Sequence, residues 1–127
     1  MAEKPEAQDT GDGRRSIVRE LRRGSLELIV LHLLEPGEAY GYEIVSKLTA
    51  ETDGTLGVTD GTLYPVLYRL ERAGFVEVRW ETQQRGVPRK YYRLTEAGRL
   101  ELEKLTREWT TFVDAMNRLL GQKRTTS

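Results

Sequence analysis

The sequence predicts a mainly α-helical domain with one β-hairpin and a long helix after it. Three observations predict it. Apolar residues recur at helical spacing in four stretches, the period switches to alternation only once, after Gly74, and Gly or Pro punctuates the joins. A chain of 127 residues holds one core and at most one appended element, so two independent enzyme domains do not fit. Hydrophobic residues at 38% are enough for folding despite 31% charged residues. The absence of Cys excludes disulfides, thiolate catalysis and Cys-based metal sites. The apolar run at 28–34 is far shorter than the roughly 20 residues of a membrane span. Residues 1–13 carry no basic-then-apolar leader, so a cytoplasmic protein with no membrane partner is expected.

Residues 1–16 read as a flexible tail, acidic up to Gly13, and residues 122–127 as a second tail. Leu26, Ile29, Val30, Leu33 and Leu34 fall at helical spacing, and Pro36 with Gly37 stops the run. Ile44, Val45 and Leu48 repeat the pattern in a short second helix at 42–49. Thr59 is the expected N-cap of a third helix, whose stripe is Leu63, Val66, Leu67 and Leu70 and whose stop is Gly74. Its other face carries Thr62, Pro65, Tyr68, Arg69 and Arg72, with Gly61 and Tyr64 near the start, a set that suits phosphate and base edges. Pro65 breaks a local rule, marking either a functional surface or a tolerated kink.

Val76, Val78 and Trp80 then alternate with Glu77, Arg79 and Glu81, and 90–95 returns as the second strand of a hairpin. Arg85, Arg89 and Lys90 are expected at its tip. Thr95 caps the last helix, which runs to about Leu120 before Gly121. Three short helices, a basic-tipped hairpin and a further helix make a winged helix-turn-helix over 17–95, with an appended helix over 96–121.

Twenty basic residues balance twenty acidic ones, but their distribution is uneven. Arg14, Arg15, Arg19, Arg22 and Arg23 face Glu20 alone, and a second basic stretch at 79–93 faces Glu81 alone. The plain alternative is scattered, solvated charge. In the last helix Leu102, Leu105, Trp109, Phe112, Met116 and Leu119 form a heptad seam, broadened by Val113 and Leu120. A small domain cannot cover that stripe, so a second copy is the expected partner, with folding back onto the same domain as the alternative.

The ordered motifs resemble the PadR-like family of bacterial transcription regulators. They are Tyr40 to Ile44, the segment Gly-Thr-Leu-Tyr-Pro-Val-Leu-Tyr-Arg-Leu-Glu at 61–71 followed by Gly74, and Tyr91 to Gly98. One helix after the wing is similar to the small subfamily. The resemblance implies a homodimer that binds palindromic operator DNA, usually as a repressor, and is released by a small effector. It implies a DNA-reading helix at 59–73 with Thr59, Gly61, Thr62, Tyr64 and Pro65 leading, Tyr42 near phosphate, and Arg85, Arg89 and Lys90 as wing contacts. Tyr42 and Tyr64 also read as half-buried core residues with a surface hydroxyl. Trp109, walled by Leu105, Phe112 and Met116, sits where some relatives stack planar aromatic ligands; the simpler reading is interface packing.

His32 is the only His and reads as structural, so no catalytic constellation, cofactor or metal is expected. A winged helix used only as a protein-interaction module is the competing reading. Such a module would not need Arg69, Arg72, Arg85, Arg89 and Lys90 together.

Overall fold

The computed structural model describes residues 16–121; of the two expected tails, only Ser16 lies within the described residues. Ser16 is not tail but cap: its hydroxyl accepts from the Arg19 N–H at 3.3 Å and starts α1, Ile17–Leu33. This helix begins nine residues before the expected apolar run, because Ile17, Val18 and Leu21 lie on a largely exposed stretch that no core periodicity reveals. His32 lies within this helix with its side chain exposed, 3.9 Å from Glu35.

A two-residue strand, β1 (Ala39–Tyr40), leads directly into α2 (Gly41–Glu51), and Glu43 accepts from the Tyr40 N–H at 3.0 Å. Strand β1 was not expected, since two residues carry no period and it exists only through pairing with a distant strand. The Thr52 hydroxyl donates to the Leu48 carbonyl and accepts from the Leu56 N–H, closing the turn toward α3 (Asp60–Arg72). Thr59 holds the N-cap position, as expected, but its side chain makes no capping hydrogen bond.

Strands β2 (Val76–Glu81) and β3 (Arg89–Leu94) form the hairpin, and the antiparallel sheet has the order β1-β3-β2. Val76 and Val78 turn toward the core, whereas Trp80 on the same face is 63% exposed because the ribbon has already left the domain. Val30, Leu31, Leu34, Ile44, Leu63, Leu67 and Leu70 make the sealed centre, with Ala39, Tyr92 and Leu94 closing it from the sheet. Each buried Leu or Ile contributes about 1.5–3 kcal/mol.

The last helix, α4 (Glu96–Leu120), starts at a tight joint and ends at left-handed Gly121. The Thr95 hydroxyl donates to the Gly74 carbonyl at 2.6 Å and accepts from the Gly98 N–H at 3.0 Å. A Cβ on Gly98 would lie 2.0 Å from the Phe75 carbonyl oxygen, so only Gly lets α4 approach so closely. The first turns of α4 pack on the domain through buried Leu102 and half-buried Leu105. Beyond them the helix leaves the core.

Candidate nucleic-acid interface

Helix α3 buries Leu63, Val66, Leu67 and Leu70 and thereby turns Gly61, Thr62, Tyr64, Pro65, Tyr68, Arg69 and Arg72 outward, as its period predicts. Pro65 cannot donate to the Gly61 carbonyl, and both residues are exposed. Gly61 would accept a Cβ with nothing nearer than 3.9 Å, so the protein's own packing does not require glycine there. Thr59 and Thr62 place their hydroxyls 3.4 Å apart at the head of the helix.

The two tyrosines differ. Tyr42, at the start of α2, is 70% exposed. Tyr64, 44% exposed, sets its hydroxyl against Gly41, where a Cβ would lie 2.2 Å from the oxygen. The Arg72 guanidinium donates to the Tyr68 hydroxyl at 3.2 Å and lies over its ring. Arg69 is tied back to Glu27 of α1 at 3.2 Å.

The wing is less basic than its composition suggests. Arg79 donates to Glu38 and Glu81, at 3.1 Å and 3.0 Å, and Arg93 donates to Glu77. The hydrogen bond from Arg79 holds the Glu38 carboxyl below the usual carboxylate range, and the Arg79 guanidinium well above its own. Of the three residues expected at the tip, only Arg85 lies in the connecting loop. Arg89 opens β3, with its guanidinium lying 4.4 Å from the centre of the Tyr40 ring. Lys90 points to the opposite face, where its ammonium meets Glu71 at 3.7 Å and the rings of Trp80 and Tyr92. Alternation along a strand sends adjacent residues to opposite faces, which is why Arg89 and Lys90 separate.

The seam on α4 divides in the same way. Leu102, 6% exposed, belongs to its own core and cannot serve a partner as expected, whereas Trp109, Phe112, Leu119 and Leu120 stay 41–77% exposed. Leu105, Val113 and Met116 are partly covered. Trp109 and Phe112, 6.3 Å apart, line a groove of about 400 Å³ between α4 and α1, with Leu21, Leu28 and Leu105 as apolar walls and a mixed rim in which Arg23 and Arg69 stand beside Glu20, Glu27 and Glu108. Met116, expected as a wall, is not among its lining residues. Among the described residues no group of three or more His, Asp or Glu is placed to hold a metal, and no helix is long and apolar enough to cross a membrane.

Sequence reasoning missed how the basic N-terminal run is used in space: Arg19, Arg22 and Arg23 flank Thr59 and Thr62 at the head of α3. The charge run was visible, but its neighbour 36 or more positions away was not.

Residues 30–104, more than half of the chain, match the Transcriptional regulator PadR-like family. The chain belongs to that family. Its PadR-like fold superposes on a PadR family transcriptional regulator from Eggerthella lenta with TM-score 0.76 and 34% identity, covering 94% of this chain and 100% of that one. A transcriptional regulator of Mycobacterium tuberculosis is 35% identical over 67% of this chain and 76% of its own length. The negative transcriptional regulator PadR of Bacillus subtilis is 34% identical over 61% of this chain, which spans 42% of that longer protein. The structure of Bacillus subtilis PadR in complex with operator DNA matches with TM-score 0.60 and 32% identity, over 64% of this chain and 46% of that one.

Proposed function

We propose that this PadR-like chain is a repressor that binds a two-fold symmetric DNA operator as a homodimer and is released by a small planar effector. The observation that carries the reading is the uncovered polar face of α3, from Gly61 and Thr62 through Pro65 and Tyr68 to Arg72, flanked by the wing. A helix of 13 residues with one sealed face and one small-and-basic face fits the major groove, about 12 Å wide. Arg85 and Arg89 suit backbone contacts beside it. Lys90 and Arg69 are held by Glu71 and Glu27, so they reach DNA only by exchanging those partners.

The homodimer is supported by the exposed part of the α4 seam, a run too apolar to face water over so many turns. Operator binding requires that an isologous pairing of that face set the two α3 helices on one side of the DNA. The effector reading is supported by the groove beside Trp109, whose apolar walls and aromatic ring suit a flat compound. To release DNA, that compound must favour the arrangement of α3 helices that DNA does not.

Selection from a random duplex pool followed by anisotropy titration tests the DNA reading. The expected result is a palindromic site, bound with an affinity that falls steeply with salt, and a salt slope flattened by about one unit at most in Arg85→Ala. A salt-independent affinity, or none above random duplex, favours the interaction-module reading. For the effector, planar dyes should quench Trp109 fluorescence, with Trp109→Ala separating the Trp80 signal, and the tightest should weaken operator binding.

A further inference from the structure

We propose that the N-terminal half of α1 is a phosphate-gripping arm, which holds the DNA backbone at the head of α3 while the wing serves the other end. The inference rests on the reading of α3 as the DNA-reading helix. Arg19, Arg22 and Arg23 recur at i, i+3 and i+4, so one face of α1 carries all three. With Leu26 they form one wall of a groove of about 290 Å³; Gly57, Val58, Thr59 and Thr62 form the other, and none of these lining residues is acidic.

Arg23 meets Glu20 at 3.5 Å, but Arg22 has no carboxylate partner among the described residues. The Thr59 side chain lies against the Thr62 hydroxyl instead of capping the helix, and the N–H groups of Asp60 and Gly61 have no acceptor among the described residues. The Arg22 guanidinium, the threonine hydroxyls and the amide N–H groups along this groove suit an oxyanion, and their place beside the head of α3 makes a DNA phosphate the occupant. The groove adjoins the head of α3, while Lys90 of the wing meets Glu71 near its tail. Thirteen residues at 1.5 Å rise separate the two ends by roughly 20 Å, enough to span the major groove from one backbone to the other. One anchor at each end would fix the register in which α3 meets the bases.

Anisotropy titration of the full chain against its selected operator and a random duplex, across a salt series, tests this. Arg22→Ala and the double variant Arg19→Ala with Arg22→Ala should weaken both duplexes by the same factor and flatten the salt slope by about one unit per lost phosphate contact. Arg22→Lys should keep most of the slope, and Arg107→Ala, which removes a charge on exposed α4 surface, should leave it unchanged. Circular dichroism confirms that each variant is folded. If the wild type binds with a steep slope and the double variant binds with the same slope and affinity, the arm does not exist. If the wild type shows no salt-dependent binding, the reading of α3 fails first and the arm with it.

Discussion

Gly61 stands where the fold has no use for glycine. Its surroundings leave space for a side chain, and glycine inside a helix costs up to about 1 kcal/mol relative to alanine. A residue kept at the expense of stability fits a surface that something else must approach closely. Gly61→Ala should therefore raise the thermal midpoint slightly while weakening operator binding several-fold; a variant that is both more stable and equally tight would remove Gly61 from the interface. Glu38 gives a second residue-scale expectation. Its carboxyl is held below the ordinary range by the hydrogen bond from Arg79. A carboxylate lowered by folding contributes stability above its unfolded pKa and loses it as pH falls through the folded one, so this wing contact is intact at neutral pH and fades only in acid. Titration followed by NMR should place Glu38 below the other exposed glutamates, and Arg79→Ala should return it to them.

At the scale of elements, α4 performs two tasks along one stripe. Its first turns are pinned by the joint of Thr95, Gly98 and Phe75 and by Leu102, while Trp109, Phe112, Leu119 and Leu120 remain uncovered. Phe112→Asp with Met116→Asp should give a folded monomer in sedimentation, with circular dichroism unchanged, because neither residue belongs to the sealed core. A wild type that is monomeric at micromolar concentration would remove the dimer reading. The division between the two halves was not legible in the heptad pattern, which treats Leu102 and Phe112 alike. Spacing identifies a stripe; which part of it the same chain covers depends on where the helix leaves the domain.

For the whole molecule, balanced net charge conceals a polar arrangement. Glu27, Glu38, Glu71 and Glu77 neutralise arginines and a lysine from elsewhere in the fold, so the cations left without a carboxylate around α3 are few: Arg22, Arg72, Arg85 and Arg89 among the described residues. If a two-fold dimer places two α3 helices in successive major grooves, half-sites lie about 34 Å apart on one side of the duplex. Inserting five base pairs between the half-sites turns one to the opposite side and should reduce affinity to that of a single half-site, whereas ten should restore much of it. Equal affinity for all three spacings would show that the protomers bind independently.

The sequence by itself determined the four helices among the described residues, the stripe and outward face of α3, the N-cap positions of Thr59 and Thr95, the hairpin and the resemblance that the family match supports. These are local properties, set by period, capping chemistry and turn residues within a few positions of one another. Only the tertiary structure decided that β1 exists, that Tyr64 turns its hydroxyl onto Gly41, that Leu102 is core, and that Arg79, Lys90 and Arg93 are bound to glutamates. Each of these depends on a contact between distant parts of the chain or across paired strands. A linear charge count assigns every arginine the same availability; folding brings carboxylates to some of them and leaves the rest for a partner.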